Sequence, residues 1–295
     1  MEPTFSVVIP TYNRASLVAR TVQTFLAQEG VSFELIVVDD GSSDPTPEVL
    51  AGFRDPRLRV LRQPNAGQAA ARNAGLAQAQ GRYVLFNDDD VVPEAGFLRA
   101  HLGLHQRYKG AAGVSRTYVP EALGHTPFTR FWRARAEAGV RGKADGAPLG
   151  WGGFWSASFS LPLKLAEAFA PFRGYGWEEH ELGWRLWRKG VRPRLVAGAR
   201  AAHEDRVDLD TMLAKARSMG RLAWQFYRMH PSFRVALWTG THPLSLRFKR
   251  WAYPWARAES FLKQRDWEQG AGAFAIYRFL LEAAYTQGLL EGQGG

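Results

Sequence analysis

Three consecutive aspartates, Asp88, Asp89 and Asp90, are the residues of this 295-residue chain whose type and spacing most clearly suggest chemistry. They follow an apolar run at residues 83–86, from which Asn87 separates them. Like charges at the end of a buried strand repel one another, and a bound divalent cation is the usual reason to tolerate them. Because the sequence contains no cysteine, the ion would be a hard one, Mn²⁺ or Mg²⁺. The alternative is that the three carboxylates are solvated loop residues.

Polar residues also follow the first two apolar runs of the sequence. Thr-Tyr-Asn at 11–13 comes after the run at 5–9, and Asp-Asp-Gly-Ser at 39–42 comes after the run at 35–38. Ligands of doubly wound sheets bind beyond the carboxyl ends of the strands, so these turns are candidate binding residues. The second turn has a simpler alternative, because Asp and Ser also cap helices.

The elements that must position these turns are short strands alternating with helices. Strands are predicted at 5–9, 35–38, 58–61 and 83–86, and crossover helices rich in Ala, Leu and Gln at 15–28 and 67–79. The first two strands are almost continuously apolar, which is typical of strands buried on both faces. The pattern predicts an α/β fold with a doubly wound, mostly parallel, Rossmann-like sheet.

Five segments in this order resemble family 2 glycosyltransferases of the GT-A fold. They are SVVIPTYNR at 6–14, VVDDGSSD at 37–44, NAG at 65–67 with ARNAG at 71–75, DDD at 88–90, and FRGYGWEEHELGWRL at 172–186. Together they extend over about two thirds of the chain, ending near His203. The resemblance implies a GT-A fold and a nucleotide diphosphate sugar as donor.

The resemblance also implies that the turns after the first two strands hold the nucleotide. Pro10, Thr11, Tyr12 and Arg14 would line this site, with Tyr12 offering an aromatic face for stacking. Asp40 would accept a ring N–H of uracil, thymine or guanine.

Further positions match the family's diphosphate and metal residues. Arg72 would contact the nucleotide or its diphosphate, because its planar fork and permanent charge suit phosphate or base oxygens. Asp88 would face the ribose and Asp90 the metal, with Asp89 grouped with the nucleotide between them. His203 follows a predicted strand at 193–202 and would complete the metal site, although a surface histidine is the alternative.

The catalytic residue implied by the resemblance is Glu179, which matches the Asp of the family's Glu-Asp pair. It would take the proton of the attacking acceptor hydroxyl, with Glu178 as the neighbour to be tested beside it. A single carboxylate base implies inversion at the anomeric carbon. Glu in place of Asp is one methylene longer, which changes the base geometry. The alternative is that these carboxylates favour the first turn of a helix running to Lys189.

The C-terminal segment at 211–258 contains nine Lys or Arg residues and no acidic residue, interleaved with Trp, Tyr and Phe. This composition is typical of helices at a membrane interface and predicts peripheral contact with anionic lipid. The alternatives are a helical lid or a dimer surface. A nucleic-acid groove is disfavoured because no recognised module is present. We expect a catalytic domain at 1–205 and a helical, basic and aromatic extension at 206–295.

Composition limits the cellular context and the class of partner. A net charge of +10 predicts an anionic partner, and the absence of cysteine excludes disulfides, thiolate metal sites and cysteine nucleophiles. The first ten residues lack the pattern of a secretory signal, and no apolar run reaches about 18 residues, the length of a spanning helix. The sequence predicts a cytoplasmic protein, peripheral at the inner face of the membrane.

The predicted reaction moves one sugar from a UDP, GDP or dTDP sugar to an acceptor hydroxyl, with Mn²⁺ or Mg²⁺ and with inversion, as in cell-envelope polysaccharide synthesis. The acceptor is left open among a lipid-linked oligosaccharide, a polysaccharide, a small polar molecule and a protein. Two alternatives remain: a nucleotidyltransferase-like enzyme on a similar sheet, and a non-catalytic, membrane-associated binding protein.

Overall fold

The computed structural model describes residues 2–155, 157–172, 176–204 and 207–294. The chain divides into two compact units, which comprise residues 1–120, 136–171 and 178–205, and residues 121–135, 172–177 and 206–295. Two predicted features fall outside the described residues. They are residues 173–175 of the segment at 172–186 and the predicted domain boundary between 205 and 206. The division into domains at 1–205 and 206–295 stays a prediction.

The described part of the first unit contains eight strands in one sheet. In chain order they are β1 (Phe5–Thr11), β2 (Phe33–Asp39), β3 (Leu58–Arg62), β4 (Tyr83–Asn87), β5 (Val91–Pro93), β6 (Ala112–Tyr118), β7 (Ser158–Pro162) and β8 (Pro193–His203).

Eleven α-helices lie between and after these strands in the described residues. They are α1 (Ala15–Leu26), α2 (Thr46–Ala51), α3 (Gln68–Ala77), α4 (Phe97–Arg107), α5 (Pro127–Ala138), α6 (Glu178–Arg188), α7 (Leu209–Met229), α8 (Phe233–Thr239), α9 (Pro243–Ala252), α10 (Trp255–Gln264) and α11 (Ala273–Gly292).

The sheet is mixed but mostly parallel, in the order β3-β2-β1-β4-β7-β6-β8-β5. Strands β3, β2, β1 and β4 are parallel neighbours, as are β6 and β8, whereas β7 and β5 run antiparallel to their neighbours. This arrangement confirms the predicted α/β sheet and adds the antiparallel strands. Thus β1 and β4 end side by side, with β2 beside β1.

Apolar side chains of β1 alternate between two layers of core. Val7 and Ile9 pack in the cluster that contains Phe25 of α1, whereas Val8 belongs to the cluster on the opposite face. Gly75 of α3 permits close contact there, because an added Cβ would lie 2.4 Å from a Val8 methyl. Burial on both faces explains the continuous apolar run and holds the carboxyl end of β1 in place.

The second unit is helical in its described part and has its own core. Phe128 and Phe131 of α5 pack with Tyr277 of α11, with ring centroids 5.0 and 5.3 Å apart. Small residues allow α7 and α11 to approach closely, since a Cβ on Gly288 would lie 2.0 Å from the Arg217 carbonyl oxygen. Among the described helices, none is both long and apolar enough to cross a membrane.

Candidate active site

The turn after β1 is built around Asn13, which adopts a left-handed backbone conformation with φ of 54°. Its side-chain Oδ1 accepts hydrogen bonds from the backbone N–H groups of Ser43 (2.7 Å) and Asp44 (3.3 Å). Its own N–H donates to Ser42 Oγ at 2.9 Å. Asn tolerates this conformation better than most residues. The three hydrogen bonds join the turns after β1 and β2 at one edge of the sheet.

Asp40 organises the loop that leads into α3. Its Oδ1 accepts from Gln63 Nε2 (2.7 Å) and from the Ala66 N–H (3.0 Å), and its Oδ2 accepts from the Gly67 N–H (2.8 Å). Gly67 has φ of 90°, a conformation that favours glycine. The predicted base-binding carboxylate is therefore buried and already holds a protein loop, and Oδ2 keeps a lone pair for one further donor.

The first-strand residues predicted to contact nucleotide differ in exposure. Pro10 and Thr11 are buried within β1, whereas Tyr12 is 47% exposed and available for stacking. The Thr11 hydroxyl donates to Asp89 Oδ2 at 2.7 Å. Thr11 thus binds a protein carboxylate in this structure.

Asp89 points towards β1 and α1. Besides the bond from Thr11, its Oδ1 accepts from Arg14 Nη1 at 3.3 Å, and its backbone oxygen accepts from Thr21 Oγ1 at 2.7 Å. Burial and the neighbouring charge of Asp90 raise the pKa of Asp89 to about 7, against the opposing effects of Arg14 and Thr11. These contacts indicate that Asp89 holds the loop at 88–90 against β1.

Asp90 lies between Arg14 and His203. Its Oδ2 accepts from Arg14 Nη1 at 2.7 Å, and its Oδ1 lies 3.3 Å from His203 Nε2. Although burial opposes ionisation, His203 and Arg14 hold the pKa of Asp90 below its ordinary value. The Glu204 N–H donates to the Asp90 backbone oxygen at 2.7 Å, so the end of β8 is tied to this loop. The structure therefore places the two predicted metal residues together.

The donors around Asp90 suit a hard divalent ion only in part. One carboxylate and one imidazole are donor types that Mn²⁺ accepts. Over the described ranges, no group of three or more His, Asp or Glu side chains is arranged to hold a metal ion. An ion held by Asp90 and His203 would need further oxygen ligands, which the diphosphate of a bound nucleotide would supply.

Arg72 lies at the centre of a second group of charged side chains. Its Nη2 donates to Asp88 Oδ1 and its Nη1 donates to Glu179 Oε1, both at 2.6 Å. Its guanidinium carbon lies 5.2 Å from the centre of the Phe169 ring. The side chain is buried, and the attraction of Glu179 and Asp88 raises the pKa of Arg72 although burial alone would lower it. In the structure, Arg72, which the sequence predicted to contact phosphate, joins two protein carboxylates.

The first turn of α6 presents two carboxyl groups in different surroundings. Glu178 is buried, and its burial together with the charge of Glu179 raises the pKa of Glu178 to about 8. Burial therefore favours the protonated form of Glu178, whereas Glu179 is paired with the Arg72 cation. Both occupy the acidic first turn of a helix, as the capping alternative also predicted.

Two residues of this group were not singled out by the sequence. Gln68 Nε2 donates to Asp88 Oδ1 at 3.0 Å, and Phe169 packs against Arg72. The sequence signal that could have identified Gln68 as a site residue is its position directly after Gly67, at the start of α3. Phe169 lies in a loop far along the chain, and no local pattern relates it to α3.

A family model described as "Glycosyl transferase family 2" matches residues 6–162, which is more than half of the chain. Validoxylamine A glucosyltransferase of Streptomyces hygroscopicus subsp. jinggangensis (strain 5008) is 30% identical over 295 residues. That match covers 85% of this chain and 68% of the relative, so the chain spans about two thirds of the relative's length.

Two solved structures share the fold. The mannosyltransferase PcManGT from Pyrobaculum calidifontis, in complex with GDP-Man and Mn²⁺, gives a TM-score of 0.63 at 17% identity and covers 97% of this chain and 87% of its own. S. aureus TarS 1-349, in complex with UDP-GlcNAc, gives 0.55 at 17% identity, with coverages of 95% and 91%. These similarities confirm the predicted GT-A fold with its C-terminal helical region.

Proposed function

Because this chain belongs to glycosyl transferase family 2, we propose that it moves one sugar from a nucleoside diphosphate sugar to an acceptor hydroxyl. The chain is thus a transferase, and the two structural neighbours bind donors of this class, GDP-Man and UDP-GlcNAc. We propose that the transfer inverts the anomeric carbon and depends on Mn²⁺ or Mg²⁺.

The observation that carries this proposal is the bridge formed by Arg72. It joins Asp88, which follows β4 at the edge where nucleotides bind in doubly wound sheets, to Glu179 at the start of α6. The buried guanidinium of Arg72 thereby holds both Asp88, on the donor side, and Glu179, the candidate base. Sugar transfer needs both groups in fixed positions, because the attacking and leaving oxygens lie on opposite faces of the sugar.

The proposed base is Glu179, and Glu178 remains the neighbour to be tested beside it. A base must be ionised at working pH, whereas Glu178, with its pKa of about 8, holds its proton at pH 7. Arg72 occupies Oε1 of Glu179, so Oε2 would take the proton of the acceptor hydroxyl. The acceptor oxygen then forms its bond to the anomeric carbon while the bond to the diphosphate oxygen breaks. Direct displacement inverts that carbon.

Asp90 and His203 are the residues we propose to hold the divalent ion. Such an ion, when bound, supplies Lewis-acid stabilisation of the departing diphosphate. Asp90 is suited to this role because its pKa is lowered, so that the carboxylate stays ionised across the neutral range. Arg14 lies on the other oxygen of Asp90 and would add positive charge beside the same diphosphate.

For the nucleotide, we propose the edge formed by Pro10, Thr11, Tyr12 and Asp40. Tyr12 is the exposed aromatic ring of this edge, and base stacking on such a ring is tolerant of base identity. The free lone pair of Asp40 Oδ2 suits the ring N–H of uracil, thymine or guanine. Arg72 would act here through Asp88, because both of its terminal nitrogens already bind carboxylates.

The acceptor is proposed only as a hydroxyl compound. Lipid-linked, polysaccharide, small-molecule and protein acceptors all satisfy the base chemistry of Glu179. A cytoplasmic location with peripheral contact of 211–258 at the inner face of the membrane remains our proposal.

A donor screen tests this function. We expect release of nucleoside diphosphate from one of the UDP, GDP or dTDP sugars in the presence of Mn²⁺ and an acceptor, and NMR should show the opposite anomeric configuration in the product. Turnover that requires a nucleoside triphosphate and releases pyrophosphate would instead support the nucleotidyltransferase alternative. Retention of configuration would contradict the proposed single-base mechanism.

A further inference from the structure

Two short helices of the second unit expose large apolar side chains. The α8–α9 face consists of five such residues, Phe233 and Leu237 on α8 and Leu244, Phe248 and Trp251 on α9. Their exposure ranges from 47% for Leu237 to 79% for Trp251. Isolated exposed apolar residues are ordinary, whereas grouped ones mark an interaction surface.

Helical spacing places these residues on continuous stripes. Leu244, Phe248 and Trp251 follow one another at steps of four and three, so they share one side of α9, and the Phe248 and Trp251 rings lie 6.1 Å apart. Leu246, on the other side of α9, is buried. The helix therefore uses a different side for packing than the one it exposes.

The turn between the two helices packs against the exposed stripe of α8. The His242 N–H donates to the Ala236 backbone oxygen at 3.1 Å, and the His242 ring lies 5.4 Å from the Phe233 ring. Val235 and Ala236 of α8 are buried while Phe233 and Leu237 are exposed. Both helices thus present an apolar stripe while anchored by their opposite side.

Positive charge accompanies the apolar stripes. Arg234, Arg247 and Arg250 are exposed on these helices, and in the described part of the chain none of the three forms an ion pair. Lys249, by contrast, is neutralised by Glu282 at 2.7 Å. No acidic residue occurs anywhere in 211–258, so the segment itself contributes only positive charge to the face.

We propose that the α8–α9 face docks on the anionic surface of a lipid bilayer, with its apolar stripes at the depth of the headgroups and its arginines on the lipid phosphates. Aromatic and leucine side chains flanked by arginine are the composition that partitions to this interface. A second copy of the chain is a poorer partner, because a symmetric contact through this face would bring arginines of like charge together. Within the segment 211–258, eight side chains would then contact the lipid: the five apolar residues of the α8–α9 face and the three arginines.

The docking does not depend on the chemistry proposed for the sugar-transfer site. A vesicle-binding experiment uses no nucleotide and no acceptor, so its failure is distinguishable from failure of the proposed reaction.

The experiment is flotation of the full chain with phosphatidylcholine vesicles, with and without phosphatidylserine. We expect binding to the phosphatidylserine vesicles that weakens steeply with salt. Replacing the three arginines (Arg234→Gln, Arg247→Gln, Arg250→Gln) should weaken it about a hundredfold, at about fivefold per arginine. Phe248→Glu with Trp251→Glu should weaken it by at least about tenfold, because both rings leave the interface.

A matched control removes the same charge elsewhere. Arg54→Gln, Arg99→Gln and Lys109→Gln change three exposed cations of the first unit and should leave vesicle binding intact. Equal loss in both triple variants would show that net charge alone drives binding and would overturn the assignment. The assignment would also be overturned if the full chain did not bind phosphatidylserine vesicles at low salt. Self-association in sedimentation that Trp251→Glu abolishes would overturn it as well. Circular dichroism confirms that each variant is folded.

Discussion

The guanidinium of Arg72 donates to Glu179 Oε1 over 2.6 Å and so joins two side chains 107 positions apart in the sequence. The second arm of the same guanidinium binds Asp88. A substitution that removes either hydrogen bond of this bridge should therefore disturb the position of the other carboxylate, because the two carboxylates share one cation. This relationship links the edge of the sheet to the first turn of α6.

Glu179→Gln should reduce kcat about 10²- to 10⁴-fold, the range expected when a general base is lost. The amide still accepts a hydrogen bond from Arg72 but cannot take the acceptor proton. Steady-state kinetics with the donor found in the screen measures this change, and calorimetry should show unchanged affinity for the nucleoside diphosphate.

Two substitutions in the same helical turn are matched controls. Glu178→Gln should have a small effect at pH 7, because Glu178 is already protonated there. Glu181→Gln removes a carboxylate that pairs with Arg185 at 2.7 Å and should leave kcat near that of the wild type. If Glu178→Gln abolishes turnover while Glu179→Gln does not, the two roles are reversed.

Arg72→Lys keeps the charge but loses the second donating arm of the fork. Because one partly buried carboxylate then lacks its charged hydrogen bond, the free energy of unfolding should fall by about 1.5–3 kcal/mol and turnover should fall as well. Urea unfolding and kinetics measure the two effects. Arg185 makes a similar fork to Glu181 and Glu167, so Arg185→Lys should lower stability without the loss of turnover. Equal turnover losses in both variants would contradict a specific role of Arg72.

Thr11→Val should destabilise the fold by about 1–3 kcal/mol, since a buried carboxylate oxygen of Asp89 loses its donor at almost unchanged volume. Urea unfolding measures the change. Thr24→Val, whose hydroxyl donates only to carbonyls of its own helix, is the control and should change stability little. An unchanged Thr11→Val protein would mean that Asp89 is not fixed by β1.

The buried His105 should lower the free energy of unfolding in mild acid, whereas the raised pKa values of Asp89 and Glu178 act in the opposite direction. His105 Nε2 lies 2.8 Å from Ser160 Oγ, and burial, aided by Arg82, lowers the pKa of His105 to about 4. The unfolded chain, with a pKa near 6.5, binds the proton first, so this contribution is present above pH 6.5 and is lost as pH falls towards 4. At pH 5 the loss from this residue should be about 2 kcal/mol relative to pH 7.5.

Urea unfolding of the wild type and of His105→Gln at both pH values isolates this loss. From pH 7.5 to pH 5, the change in the free energy of unfolding should be about 2 kcal/mol more favourable in the variant than in the wild type. If the variant shows the same pH dependence as the wild type, His105 is not the responsible group.

Much of the first half of the fold was predictable because three of its strands, β1, β2 and β4, are buried on both faces. Strands β1 to β4 contain the predicted apolar runs, and α1 and α3 begin after the predicted turns. Strand β7 was not predicted as a strand, because Ser158 and Ser160 interrupt its apolar residues. Those hydroxyls are buried, and Ser160 lies 2.8 Å from His101 Nδ1. A polar strand of this kind depends on partners that are distant in sequence.

The site was predictable by residue type but not by pairing. The sequence predicted Asp40, Arg72 and Asp89 as nucleotide contacts, which stays a prediction, and in the structure each is also bonded to other parts of the protein. Which donor a carboxylate meets depends on how loops pack across the sheet edge. Local spacing does not determine that packing, whereas the chemical types needed at the edge are set by the ligand.

The proposed function depends on one claim, that this edge binds a nucleoside diphosphate through an ion held by Asp90. Calorimetric titration with UDP, GDP, dTDP, CDP and ADP, each with Mn²⁺ and with EDTA, measures it directly. We predict that one diphosphate binds with Mn²⁺ only, and that Asp90→Asn, shown by thermal unfolding to be folded, loses this binding while Asp145→Asn keeps it. Absence of binding by every diphosphate, or equal Mn²⁺-dependent affinity in Asp90→Asn, would contradict the claim.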